Sequence, residues 1–242
     1  MSISSDTAVT DTPGQDTEVL RVEGLRKVFG SGTQAIEALK GIDLVARSGE
    51  LIALLGPSGS GKSTLLLSIA LIEMPSTGRV VIEGREIFKD GAVRTDVRRL
   101  RRERIGFIFQ QHNLIPFANA RDNIALALTL NGTPGRAARK RADELLEYLE
   151  IGHRAKALPA EMSGGEQQRI AIGRALANSP PIIFADEPTA SLDTTRGRRV
   201  MDLLRRIARE HRSAVITVTH DQRMIEGFDS VYHLIDGRLQ CS

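Results

Sequence analysis

The stretch "LIALLGPSGSGKST", residues 51–64, restricts the fold of this chain more than any other. The run "LIALLG" at 51–56 is continuously apolar, the pattern of a strand buried on both faces. From Lys62 to Ile72 the chain is apolar on most sides and reads as a helix. Between them, Gly56, Pro57, Ser58, Gly59, Ser60, Gly61, Lys62 and Ser63 match G-x-x-x-x-G-K-[ST] in full, in the strand–loop–helix context the motif requires. Gly56, Gly59 and Gly61 let the backbone curl so that successive N–H groups point inward, and the helix adds its positive end. Lys62 is placed to meet β- and γ-phosphates, Ser63 to ligate Mg2+ through its hydroxyl, and Thr64 to add one more hydroxyl. The expectation is a bound nucleoside triphosphate with its magnesium ion.

A phosphate loop does not by itself separate a kinase from a switch or a motor. "PIIFADEP" at 181–188 narrows the choice, because apolar residues Ile182 to Ala185 lead to two adjacent carboxylates. Ligands of open α/β sheets sit beyond the C-terminal ends of the strands, so Asp186 and Glu187 are expected close to the phosphate loop. Neighbours in an extended segment point to opposite sides. Asp186 is therefore expected to hold Mg2+, through water, and Glu187 to polarise an attacking water. His220 ends the next buried strand, "AVITVTH" at 214–220, and is expected on the same edge, donating to a γ-phosphate or to Glu187. Five histidines are present, but no pair has the spacing of a zinc site.

A second glycine-rich stretch, "EMSGGEQQR" at 161–169, puts two glycines at the opening of a helix. Each costs about 1 kcal/mol relative to alanine inside a helix. Ser163 and Glu166 have the S-x-x-E spacing of a capping box. Gly164 and Gly165 then fill the first helical positions with no side chain before their N–H groups, and an anion can approach closely. Residue chemistry leaves open whether the two phosphate-seeking surfaces meet within one chain or across two.

The remainder supplies the frame. Residues 18–50 alternate short apolar segments with turn residues, as antiparallel strands do, and "GRVVIEGREI" at 78–87 reads as another hairpin element. Residues 112–160 show helical patterns without a clear strand. There Thr133-Pro134 starts a helix with the apolar stripe Ala138, Ala142, Leu145 and Leu149. A helix is expected over about 196–210, and the chain ends in a hairpin around Asp236-Gly237. Residues 1–17 are polar and acidic, without the features of a secretion signal, and read as a disordered tail. No apolar run is long enough to cross a bilayer. The single cysteine, Cys241, precludes an internal disulfide, which suits the cytosol. Net charge is only +3, but "RTDVRRLRRER" at 94–104 concentrates six arginines. With few aromatics nearby, this run reads as a solvated helix face and no nucleic-acid partner is expected.

Taken in order, "GPSGSGKST", "MSGGEQQR", "IIFADEPTASLD" and "VTHD" resemble the nucleotide-binding subunit of an ABC transporter, over residues 18–242. The resemblance implies an α/β P-loop NTPase core with an N-terminal antiparallel β subdomain and an inserted α-helical subdomain at about 112–165. It implies a Mg-dependent ATPase whose two copies pair head to tail, each ATP being covered by Ser163, Gly164, Gly165 and Glu166 of the other copy. By the same resemblance, Phe29 stacks on adenine where tyrosine is commoner, and Gln110 senses Mg2+ and takes part in catalysis with Lys62. The loop 111–117 faces a membrane subunit, and Asp193 crosses the dimer interface. Met162 departs from the usual leucine, a nearly volume-neutral change. "RRLRRERIGFIFQQHNLIP" looks most like the macrolide-exporter and lipoprotein-release branch. That branch implies export or extrusion, separately encoded permeases, an extracytoplasmic or periplasmic adaptor, and a cytoplasmic position on the inner face of the cell membrane. Two rivals stay open: a nucleotide-gated signalling switch coupled to a membrane partner, and an ABC-type ATPase acting on ribosomes or DNA.

Overall fold

The computed structural model describes residues 17–190 and 192–241. The tail expected over residues 1–17 lies outside them, Thr17 apart. The chain runs β1 (Glu18–Phe29), β2 (Ile36–Arg47), β3 (Leu51–Leu55), α1 (Lys62–Ile69), β4 (Thr77–Ile82), β5 (Arg85–Lys89), β6 (Ala92–Val93), α2 (Val97–Arg104) and β7 (Ile105–Ile108). It continues through α3 (Ala120–Leu130), α4 (Gly135–Tyr148), α5 (Gly164–Leu176), β8 (Ile182–Asp186), α6 (Thr194–His211), β9 (Ala214–Val218), β10 (Ser230–Ile235) and β11 (Arg238–Cys241).

Two sheets organise these elements. The first is antiparallel, in the order β2–β1–β4–β5–β6, and the second has the order β11–β10–β3–β9–β8–β7. In the second, β10, β3, β9, β8 and β7 run parallel and β11 closes one edge antiparallel. Alternating side chains divide the interior. Ile52, Leu54, Ile182, Phe184, Ile216 and Val218 join α1 and the antiparallel sheet in one core. Leu51, Ile183, Ala185 and Val215 pack with α3 to α6 in the other. A strand covered on both faces must be apolar at every position, and β3 is buried throughout.

The stripe Ala138, Ala142, Leu145 and Leu149 is buried as expected. In the arginine run, Arg94, Arg99 and Arg104 pair with Glu86, Glu103 and Glu83, and Arg101 donates to the Leu71 carbonyl. Two elements end earlier than expected. The helix from Lys62 stops at Ile69, because Leu71 turns left-handed at φ 52°. Strand β9 stops at Val218; the Asp221 N–H donates to Thr219 Oγ1 and bends the chain, so His220 lies on a loop.

Candidate nucleotide site

The loops after β3, β8 and β9 leave the same edge of the parallel sheet, with β3 paired to β9 and β9 to β8. This adjacency brings residues distant in sequence within bonding reach. After β3, the glycine loop wraps toward α1. A side chain on Gly56 would come 2.2 Å from the Leu234 carbonyl oxygen, and one on Gly61, the left-handed N-cap of α1, 2.8 Å from the Ala38 oxygen. Only glycine lets the loop lie this close to β10 and β2. Gly59, by contrast, has open space before it. Lys62 is buried, and its Nζ donates to the Gly56 and Pro57 carbonyls at 2.8 Å each, holding the ammonium over the loop. Ser60 is also buried, its hydroxyl without a partner.

Ser63 Oγ donates to Asp186 Oδ1 at 3.1 Å, bridging the first turn of α1 and the end of β8. Burial raises the Asp186 carboxyl above its ordinary pKa, against the opposing Ser63 hydrogen bond. A hydroxyl and a desolvated carboxylate oxygen meeting beside a phosphate-type loop are hard donors of the sort Mg2+ prefers. The donor set therefore fits the ion.

Glu187 does not continue the extended segment assumed from sequence. It adopts φ 49°, its N–H donates to the Val218 carbonyl and its own carbonyl accepts from Ala190. The turn, rather than strand alternation, separates its carboxylate from that of Asp186. That carboxylate is sheltered, with 16% of the side chain exposed, and receives His220 Nδ1 at 2.9 Å on both oxygens. A carboxylate only accepts, so Nδ1 carries the proton. Beyond His220, Arg223 holds Asp221 at a pKa of about 2, and Asp221 caps the turn 222–224.

The second glycine stretch folds as its spacing predicts. Glu166 Oε2 accepts from the Ser163 N–H at 2.8 Å and from the Ser163 hydroxyl at 2.9 Å, while the Glu166 N–H donates to Ser163 Oγ at 3.4 Å. Nothing lies within 4 Å of a side chain built on Gly164 or Gly165. Arg154, which carried no signal in the sequence, pairs through Nε with Glu166 at 2.9 Å and steadies the box. The Ser163 N–H, more than the arginine, lowers the Glu166 pKa.

The other expected positions are spread around this edge. Phe29 ends β1, 40% exposed, with Lys27 Nζ 4.6 Å from its ring centroid. Gln110 is exposed just after β7. Asp193 caps α6 by accepting from the Arg196 N–H at 2.9 Å. Pro57 and Ser58 are exposed on the glycine loop, and Thr64 is half-buried in the first turn of α1.

A parallel sheet with a phosphate loop, a carboxylate pair and a histidine on one edge defines a P-loop nucleoside triphosphatase. The ABC transporter family model matches residues 39–190, and the chain belongs to that family. The lipoprotein-releasing system ATP-binding protein LolD 2 of Caulobacter vibrioides is 44% identical, over 92% of this chain and 96% of its own. LolD of Aquifex aeolicus is 40% identical over 92% and 96%. A dimeric post-hydrolysis structure of the ATP-binding cassette MJ0796, bound to ADP and Pi, superposes with a TM-score of 0.81 at 38% identity, covering 91% of this chain and 96% of that one. The chain is thus a cassette ATPase with ATP as substrate and Mg2+ as cofactor.

Proposed function

We propose that this chain is the ATP-hydrolysing subunit of a membrane complex of the lipoprotein-release type, exporting or extruding its cargo. Two copies pair head to tail around ATP and work with separately encoded permeases on the cytoplasmic face. The observation that carries hydrolysis is the Glu187–His220 pair set beside Ser63–Asp186 on one sheet edge. Ser63 and Asp186, with Gln110, would hold Mg2+, which would supply charge neutralisation at the phosphates. Lys62 and the N–H groups of the glycine loop orient the phosphate chain, Thr64 adds one more hydroxyl, and Phe29 offers its ring to adenine. Glu187 takes the proton of an attacking water, and His220 holds that carboxylate in place.

Pairing is supported by Gly164 and Gly165 at the start of α5, where nothing lies within 4 Å of a side chain built on either and an anion could approach the helix end. Asp193 sits at a helix start where it can meet the second copy. Among the described residues no helix is long and apolar enough to cross a membrane. Phe117, 86% exposed within 111–117, supports that loop as the permease-facing surface. The branch of the relatives supports the export direction, and an extracytoplasmic adaptor is the remaining partner of the reading.

The test is the dependence of ATPase activity on protein concentration. Specific activity should rise with concentration and saturate as the dimer forms; full turnover by dilute monomer would overturn the shared site.

A further inference from the structure

Arg174 is an unusual arginine. It lies in the last turn of α5, largely withdrawn from water, and no carboxylate pairs with it among the described residues. Burying a guanidinium without a counter-ion is costly unless its hydrogens are satisfied. Here two of its nitrogens donate to main-chain oxygens of one loop, to Asn113 at 2.6 Å and to His112 at 2.8 Å. Asn113 is left-handed at φ 48°, which turns successive carbonyls toward the fork. The His112 ring lies half-buried against Gln167 and Gln168 of the same helix.

The gripped loop is the one that leaves β7 through Gln110, and the gripping helix is the one whose opposite end carries Ser163, Gly164 and Gly165. A helix of 13 residues is a rod about 20 Å long. We infer that Arg174 is a positioning residue that fastens the Gln110 loop to the C-terminal end of α5, so that a shift of this loop is delivered to the phosphate-binding end. Arginine is required because a planar fork reaches two carbonyls at once, which a lysine ammonium on a flexible stem does not reproduce. The inference rests on the proposed nucleotide site, which gives the loop something to respond to.

The test compares wild type with Arg174→Met and Arg174→Lys in the full chain. Amide exchange over 110–116 without nucleotide reads the grip: Arg174→Met should speed it about tenfold or more, with α1 and β3 unchanged. Steady-state kinetics read the coupling: KM for ATP should stay within about twofold while kcat falls about tenfold, and Arg174→Lys should recover part of kcat. Unchanged exchange in the loop, or a kcat equal to wild type, would overturn the inference. So would loss of exchange protection throughout the fold, since that marks a merely structural arginine. Should wild type itself fail to hydrolyse ATP, the nucleotide reading falls, and loop exchange still decides whether Arg174 holds it.

Discussion

His220 Nδ1 stands 2.9 Å from both carboxylate oxygens of Glu187, although the two residues follow different strands. Parallel pairing of β8 with β9 places their exits side by side, and the left-handed turn at Glu187 swings its carboxylate toward the loop after β9. The imidazole is exposed and the carboxylate sheltered. Glu187 thus has a fixed direction, which a base must have before its pKa matters.

Replacing Glu187 with Gln keeps the shape and removes the proposed base. ATP should still bind, hydrolysis should fall by about 10²-fold or more, and the protein should collect as an ATP-bound dimer on a sizing column. His220→Ala leaves Glu187 present but unheld, and should lower kcat more than it changes KM for ATP. Near-normal turnover by Glu187→Gln would remove Glu187 from this role.

Asp186 predicts opposite effects on stability and function. Burial raises its pKa, so the folded chain holds this proton to a higher pH than the unfolded chain does. Stability is therefore greatest, as far as this group is concerned, below the ordinary carboxylate pKa, and is lost as pH rises through the raised value. Asp186→Asn removes that cost. Without Mg2+ and nucleotide, its thermal midpoint at neutral pH should exceed that of wild type, and the gap should close near pH 4. Mg-dependent hydrolysis should be lost.

These residues were legible because each stands where an apolar run stops: Gly56 after β3, Asp186 at the end of β8, His220 just past β9. The capping box was equally plain, since Ser163 and Glu166 signal through side chains at fixed spacing. What the sequence did not convey were contacts made to main-chain atoms. Arg174 binds the His112 and Asn113 carbonyls, and a carbonyl leaves no residue-type trace. Arg154 reaches Glu166 from a separate loop, with no periodicity linking the two. The turn at Glu187 was hidden for a similar reason: a non-glycine residue at positive φ is held by its neighbours' hydrogen bonds, not by its own preference.

Met224 couples the histidine loop to α6. It is buried, and a side chain on Gly197 would come 3.1 Å from its Cε and 3.5 Å from Thr189 Cβ. Gly197→Ala should be nearly neutral, because about 1 kcal/mol of helix propensity offsets the crowding of a thioether that can yield. Met224→Ala should cost about 2–5 kcal/mol through the cavity it leaves. Since the new methyl partly fills that cavity, the double variant should lose less than the two single losses combined, as measured by chemical denaturation. Strict additivity would show that the two positions do not share one packing site.

The glycines at the start of α5 give the sharpest separation of fold from function. Gly164 lies in helical backbone with no atom within 4 Å of where a Cβ would stand, so nothing inside the single chain asks for glycine there. Helix propensity alone then favours alanine, by less than the ~1 kcal/mol of a helix interior because Gly164 is the first helical residue. Gly164→Ala should therefore stabilise the isolated protein. In the proposed head-to-tail pairing the added methyl would crowd the approach of the partner's nucleotide to this helix start. ATP-driven dimerisation, followed by sizing in the Glu187→Gln background, should fall sharply while ATP binding by the monomer is kept. A variant that is both more stable and fully able to dimerise would mean that α5 does not approach the second nucleotide, and that the capping box serves the helix alone.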